Sequence, residues 1–366
     1  MPSLLLPDAQ PILTALAILA LTAACRFGFA VVTRLLGTSK RLLWPAAGAM
    51  ASLPFVLREP LLAWWGGTYA DAQLGSFLAA TAFAWCFFRA IERSVGTTPV
   101  GAAASLAEWI FYMSADVDPR YGDGRPLRPP PGKLQSQLAK LCATYAATAA
   151  FVSAIEPFGF RPTAAVCEAC GVSGPLAAAL VRVGDNLSGT VLIYLFLSLL
   201  LTLGSILVLA QGHDPIDGFD NPVFKSCSPR EFWGRRWNLQ VNAMLKRSCY
   251  KPLAGAGLAA PLATLATFGA SAGFHEYQFA LSMPGYRVGT ASVFFLGQGL
   301  LLVAQSLLEA TPLRHLASRA PLPLGVAFNI TALSLVPDYF ICNWIDLPTP
   351  LFGAVARLVP RIMWAA

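Results

Sequence analysis

Residues 187–210 read LSGTVLIYLFLSLLLTLGSILVLA, 24 positions without one charge. At 1.5 Å per residue a helix needs roughly 20 apolar residues to cross the hydrocarbon layer, so this run can cross. Lipid offers no partner to backbone N–H and C=O groups, and a helix satisfies them internally. Working outward, further apolar runs fall at 11–36, 42–57, 74–91, 100–113, 138–155, 262–283, 288–308, 322–342 and 350–364. The expected fold is therefore all-α: a polytopic integral membrane protein with about seven to nine transmembrane helices. The runs 42–57, 100–113 and 350–364 are short for a span and fit tilted, re-entrant or interfacial segments.

Composition agrees with that reading. Of 366 residues, 56% are hydrophobic and 12% charged, against about 25% charged in soluble domains. Mean hydropathy is +0.58. No shift in composition separates a soluble domain, and residues 1–366 read as one membrane domain. The net charge of +7 is better explained by Lys and Arg held in cytosolic loops than by nucleic acid, which is not an expected partner. The first apolar run lacks a basic flank, with Asp8 the one charge before it, so it reads as a retained helix rather than a secretory signal. The eight cysteines are scattered and behave as small hydrophobes. Cys167 and Cys170 form a CxxC, but zinc needs two more ligands at suitable spacing; a disulfide or nothing is expected there, and no metal.

Two hydrophilic stretches interrupt the apolar pattern. Residues 114–140 are rich in Pro and Gly and read as an extended loop. Residues 211–251 hold seven basic residues against four acidic ones. The runs 138–155 and 187–210 give two crossings between these loops, so both belong on one face, which the positive-inside rule makes cytosolic. A later loop near Arg314 and Arg319 falls on the same side if the two runs before it each cross once.

Chemistry concentrates in two places. In the second loop, Phe232, Trp233 and Trp237 interleave with Arg230, Arg235 and Arg236, and Lys246, Arg247 and Lys251 follow. This pattern fits a basic amphipathic segment lying at the headgroup level; the same cations could instead hold the phosphates of a soluble donor. In the run 262–283, Pro261 suits a helix start. The polar residues Thr264, Thr267, Ser271, His275, Gln278 and Ser282 then recur every three or four positions, one stripe on a helix. His275 lies 13 residues beyond Leu262, about 20 Å along the axis and well within the bilayer. A polar stripe at that depth faces a cavity or a bundle interior. An imidazole shielded from water can take a hydroxyl proton; equally, one His and several hydroxyls can simply tie helices together. Glu276 lies about 100° off the stripe and needs its own partner. His213 and His315 sit in hydrophilic loops. No GxSxG nucleophile motif is present, which favours direct attack by an activated alcohol.

Arg230-Glu231-Phe232-Trp233-Gly234-Arg235-Arg236-Trp237-Asn238 and the later Ala272-Gly273-Phe274-His275-Glu276, whose His275 lies 37 residues beyond Asn238, resemble the membrane-bound O-acyltransferase family in its wax-synthase-like branch. The resemblance covers the central third of the chain. It implies a many-helix fold enclosing a catalytic tunnel, with His275 as general base and Asn238 orienting substrate or stabilising charge on the thioester oxygen. It implies acyl-CoA as co-substrate, with no other cofactor, and assigns Arg235, Arg236, Trp233, Trp237, Lys246 and Arg247 to its binding. Thr267, Ser271, Gln278 and Ser282 would line the acceptor path, a reading from spacing alone. The branch implies a fatty alcohol acceptor, a wax ester product and an endoplasmic reticulum membrane; diacylglycerol, sterol and terpenoid alcohols are alternatives. A non-catalytic transporter using the stripe as its path is the reading from another class, disfavoured by the few charges within the spans. Oligomeric state is not legible. The sequons at Asn186 and Asn329 sit at or inside apolar runs, so no glycan is expected.

Overall fold

The computed structural model describes residues 3–65, 68–311, 321–334 and 338–363. The basic loop at Arg314 and Arg319, with His315, lies outside the described residues. In chain order the helices are α1 (Ala9–Leu35), α2 (Lys40–Trp65), α3 (Tyr69–Val95), α4 (Leu106–Ser114), α5 (Lys133–Ile155), α6 (Thr163–Ala169) and α7 (Gly174–Ala210). Single turns α8 (Pro222–Lys225) and α9 (Pro229–Glu231) lead into α10 (Leu239–Leu245) and α11 (Lys251–Gly255). The long pair α12 (Ala260–Ser282) and α13 (Thr290–Glu309) follows, then α14 (Leu322–Leu333), α15 (Asp338–Ile345) and α16 (Leu351–Ala356).

Five helices are long and apolar enough to cross a membrane, and six if the bent pair α14–α15 counts as one span. Two other long helices, α2 with 26 residues and α12 with 23, are not among them, so the described residues hold five or six such spans, fewer than the seven to nine expected. The chain is an all-α integral membrane protein. Among the described residues its strands are minor: β1 (Ser3–Leu5) pairs antiparallel with β4 (Arg361–Met363), and β2 (Tyr121–Gly122) with β3 (Arg125–Pro126).

The short apolar runs resolve in different ways. The run 42–57 is part of the 26-residue α2. The run 100–113 yields only the nine-residue α4, with Trp109, Tyr112 and Met113 fully buried. Trp109 donates to Ala30 O at 2.9 Å, so α4 is an interior wedge against α1. The run 350–364 gives the six-residue α16, also packed inside, with Leu351, Phe352 and Val355 at 0% exposure.

The expected loop 114–140 is shorter than read, because α5 begins at Lys133. It packs directly on the second hydrophilic stretch. Asp217 pairs with Arg120 at 2.8 Å and Lys133 at 3.1 Å, and Arg120 N donates to Asp214 O at 2.7 Å. The two loops therefore share one face. Below them α12 and α13 lie close: a Cβ on Gly299 would come within 2.9 Å of the Phe268 Cβ. Only the absence of that carbon allows the approach. Asn186 and Asn329 are 5% and 1% exposed, so neither offers its amide to solvent.

Candidate active site

The motif-bearing stretch does not run as an ordinary loop. Phe232–Arg236 forms a single π-turn and Lys246–Tyr250 a second, widened turns that often re-aim side chains at functional sites. In the first, the Trp237 N–H reaches back five residues to Phe232 O at 2.8 Å. This brings the aromatics inward. Trp237 stacks on Phe232 at 5.0 Å between centroids, and Trp233 packs edge-on to Phe268, Phe294 and Phe295. The Trp233 indole N–H donates to Gln298 Oε1 at 3.1 Å. Met244 and Leu245 are buried too. These side chains form interior walls, not the headgroup-facing side of an interfacial helix.

Asn238 follows the first π-turn in the left-handed region, φ 38° and ψ 65°. Asn tolerates this conformation better than most residues. Its Oδ1 caps α10, accepting from Val241 N at 3.3 Å. With the oxygen so engaged, the amide NH2 is the group Asn238 can offer outward.

His275 projects from α12 into an aromatic box. Its ring stacks on Phe295 of α13 at 4.1 Å and 23°, with Phe274, Phe279 and Phe340 edge-on. Nδ1 lies 2.8 Å from Ser271 O, one turn back on the same helix. A carbonyl oxygen can only accept, so Nδ1 carries the hydrogen in the neutral ring and Nε2 keeps its lone pair.

One cavity of about 1210 Å³ is bordered by both residues. Its wall includes Asn238, Trp233, Trp237, Arg235 and Lys246 from the second hydrophilic stretch, and Thr264, Thr267, Ser271, His275 and Gln278 from the stripe. Its remaining lining is largely apolar, mainly from α1, α3, α7, α13, α14 and α15. A passage of this character can hold long chains while presenting a few fixed polar groups to a reacting head.

Three expected site residues stand apart from that wall. Ser282 is 2% exposed and donates back to Gln278 O at 2.6 Å, closing on its own helix. Arg236 is committed to Glu231 Oε1 at 2.6 Å and Asp220 Oδ2 at 2.7 Å. Arg247 is held by Glu92 at 3.1 Å and Asp118 at 2.5 Å. Intramolecular carboxylates occupy both guanidiniums, which makes them braces rather than free phosphate contacts. Arg235 and Lys246 are exposed and remain on the cavity wall.

The brace at Arg247 belongs to a cluster that sequence reading missed. Arg89 pairs with Asp118 at 2.6 Å, with side-chain exposures of 0% and 1%, and Tyr112 donates to Glu92. Burial pushes the Asp118 carboxyl up, but the Arg89 and Arg247 guanidiniums outweigh it and hold it below the usual carboxylate range. These charges lie up to 158 residues apart, from Arg89 to Arg247, and no local pattern announces them. Among the remaining cysteines of interest, Cys167 is buried and Cys170 exposed, both free thiols at one end of α6.

Residues 185–317 match the sequence profile of the membrane-bound O-acyltransferase family. The match covers about the central third of the chain. The segment contains Asn238, His275 and Glu276, so the resemblance drawn from the motifs is borne out. The chain is similar to probable long-chain-alcohol O-fatty-acyltransferase 7 of Arabidopsis thaliana, 35% identical over 31% of this chain and 35% of that protein. It is also similar to probable long-chain-alcohol O-fatty-acyltransferase 3, 30% identical over 36% and 39% of the two chains. A third Arabidopsis relative, acyl-CoA–sterol O-acyltransferase 1, is 31% identical over 46% and 52%. The matched stretch thus spans between a third and about half of these relatives' lengths.

Proposed function

We propose that this protein transfers a fatty acyl group from acyl-CoA to the hydroxyl of a long-chain alcohol within the membrane, giving a wax ester and CoA. The observation that carries the reading is that His275 and Asn238 border the same buried cavity with an accepting ring nitrogen and a donating amide. Nε2 of His275 takes the proton from the alcohol as its oxygen attacks the thioester carbonyl carbon. Negative charge moves to the former carbonyl oxygen, where the Asn238 NH2 donates to it; such a donor is commonly worth about 3–4 kcal/mol. Collapse of the tetrahedral intermediate breaks the C–S bond. The imidazolium then returns its proton to the CoA sulfur, so proton and charge balance over the cycle.

The donor's phosphates would meet Arg235 and Lys246, with the indoles of Trp233 and Trp237 beside the channel. Thr267, Ser271 and Gln278 would border the acceptor. The face bearing residues 211–251 is assigned to the cytosol of an endoplasmic reticulum membrane, from the excess of basic residues there. A sterol acceptor is the second reading, favoured by the longest of the three alignments, which is to a sterol acyltransferase by name.

The test offers labelled acyl-CoA to membranes of a host lacking its own neutral-lipid synthesis, with fatty alcohol, diacylglycerol and sterol in competition. Label is expected mainly in wax ester. Dominant steryl ester would favour the second reading, and no ester of any kind would remove the acyltransferase assignment.

A further inference from the structure

Glu276 has no obvious partner in sequence, and the structure gives it several. Helix α13 is preceded by Gly289, whose φ of 103° suits glycine and which has no side chain to cap the free N–H groups of the first turn. The Glu276 carboxylate, reaching across from α12, fills that place. Its Oε1 accepts from Ser292 N at 2.8 Å, Ser292 Oγ at 2.8 Å and Gly289 N at 3.0 Å. Its Oε2 accepts from Gly289 N at 2.9 Å and Tyr286 Oη at 2.8 Å. A carboxylate suits a helix N-terminus, where N–H groups and the helix dipole both favour negative charge. One helix thereby caps the next.

The helix so anchored carries what holds the imidazole. Phe295, one turn beyond Ser292, supplies the ring stacked on His275, and Gln298 a turn further holds Trp233. We infer that Glu276 is a positioning residue: by pinning the start of α13 it sets the seat of Phe295 against the His275 ring and so the direction in which Nε2 faces the cavity. The inference rests on His275 being the base. A direct proton relay between the two neighbours does not fit the contacts. Nδ1 of His275 is engaged by Ser271 O, and both Glu276 oxygens are engaged at α13.

The test compares Glu276→Ala, Glu276→Gln and Ser292→Ala with the parent as purified protein in detergent, with rates taken per folded molecule. A base displaced by about 1 Å loses on the order of 100-fold in rate. Glu276→Ala should therefore lower kcat by about 10- to 100-fold while KM for acyl-CoA and alcohol stays within about twofold. Glu276→Gln keeps one accepting oxygen and should recover part of the loss; Ser292→Ala should lose the least. The acid limb of the pH–rate profile should not move in Glu276→Gln. Unchanged kcat with only a lower Tm would reduce Glu276 to a stabilising cap, and a shifted acid limb would make it a direct electrostatic partner of His275; either overturns the inference. Should Glu276→Ala fail to fold, the other two variants still decide. A His275→Ala protein with full activity would instead overturn the functional reading beneath it.

Discussion

Two buried polar regions each draw residues from the second hydrophilic stretch, and they are built on opposite rules. At Arg89, Asp118, Arg247 and Glu92 the charges are spent on one another, with Asp118 alone held by two guanidiniums. At His275 the surroundings are aromatic rings, and the few polar groups border the cavity. A closed set of ion pairs fixes geometry but has little left to offer a substrate. A ring with one nitrogen tied, and on the same cavity wall an amide with its oxygen tied, keep capacity for a reactant. Under the proposed function, the first region holds the scaffold and the second meets the chemistry. The link between them is short, since Arg247 lies one small helix beyond Asn238.

Cutting the closed region should have the largest effect on the amount of protein. Removing one partner of a buried pair costs about 3–5 kcal/mol because the other charge is stranded. Asp118→Ala is accordingly expected to lose most of its folded material, read by fluorescence-detected size exclusion. Acid should act through the same carboxyl. Its folded pKa lies below the ordinary 3.8, so its contribution is complete above the unfolded value and is lost as pH falls through the folded one. Thermal stability of the parent should decline below about pH 4.

Cutting the open region should spare the fold and slow the reaction. Asn238→Ala is expected to lower kcat by about 100- to 1000-fold, as removal of one oxyanion donor does elsewhere. Its Tm should fall by a smaller amount corresponding to a lost helix cap of about 1 kcal/mol. A loss confined to Tm would move Asn238 into the scaffold. The smallest effects belong to the cations. Arg235→Ala and Lys246→Ala should each raise KM for acyl-CoA a few-fold and more at low salt, as screened surface charges do. Arg236→Ala should instead lower Tm with little change in KM, measured on the same preparations.

The sequence carried the open region well and the closed one poorly. The stripe from Thr264 to Gln278 follows helical spacing, so its common face was legible, and Pro261 marked the start of α12 within a residue or two. Ser282 keeps the same period but lies off the cavity wall, its hydroxyl, like those of Thr264 and Thr267, donating to its own helix. The spacing of a side chain gives its direction, not what it finds there. Arg236 and Arg247 read as free cations because their partners are distant: Glu92 lies 155 residues from Arg247. Glu276 was opaque for a related reason, its ligands being backbone N–H groups of another helix, which no side-chain pattern records. Apolar run length left residues 100–113 and 350–364 open as tilted, re-entrant or interfacial segments, and both form short helices packed inside the protein. Composition cannot distinguish burial in lipid from burial in protein.

The role of His275 is open to one direct measurement: ester formed from labelled acyl-CoA and a long-chain alcohol by purified His275→Ala and parent proteins, matched for folded amount. Loss of the general base should lower the rate by about 100- to 10,000-fold with the elution profile unchanged. Ester formation at the parental rate would take the imidazole out of the reaction and leave the cavity as a passage only.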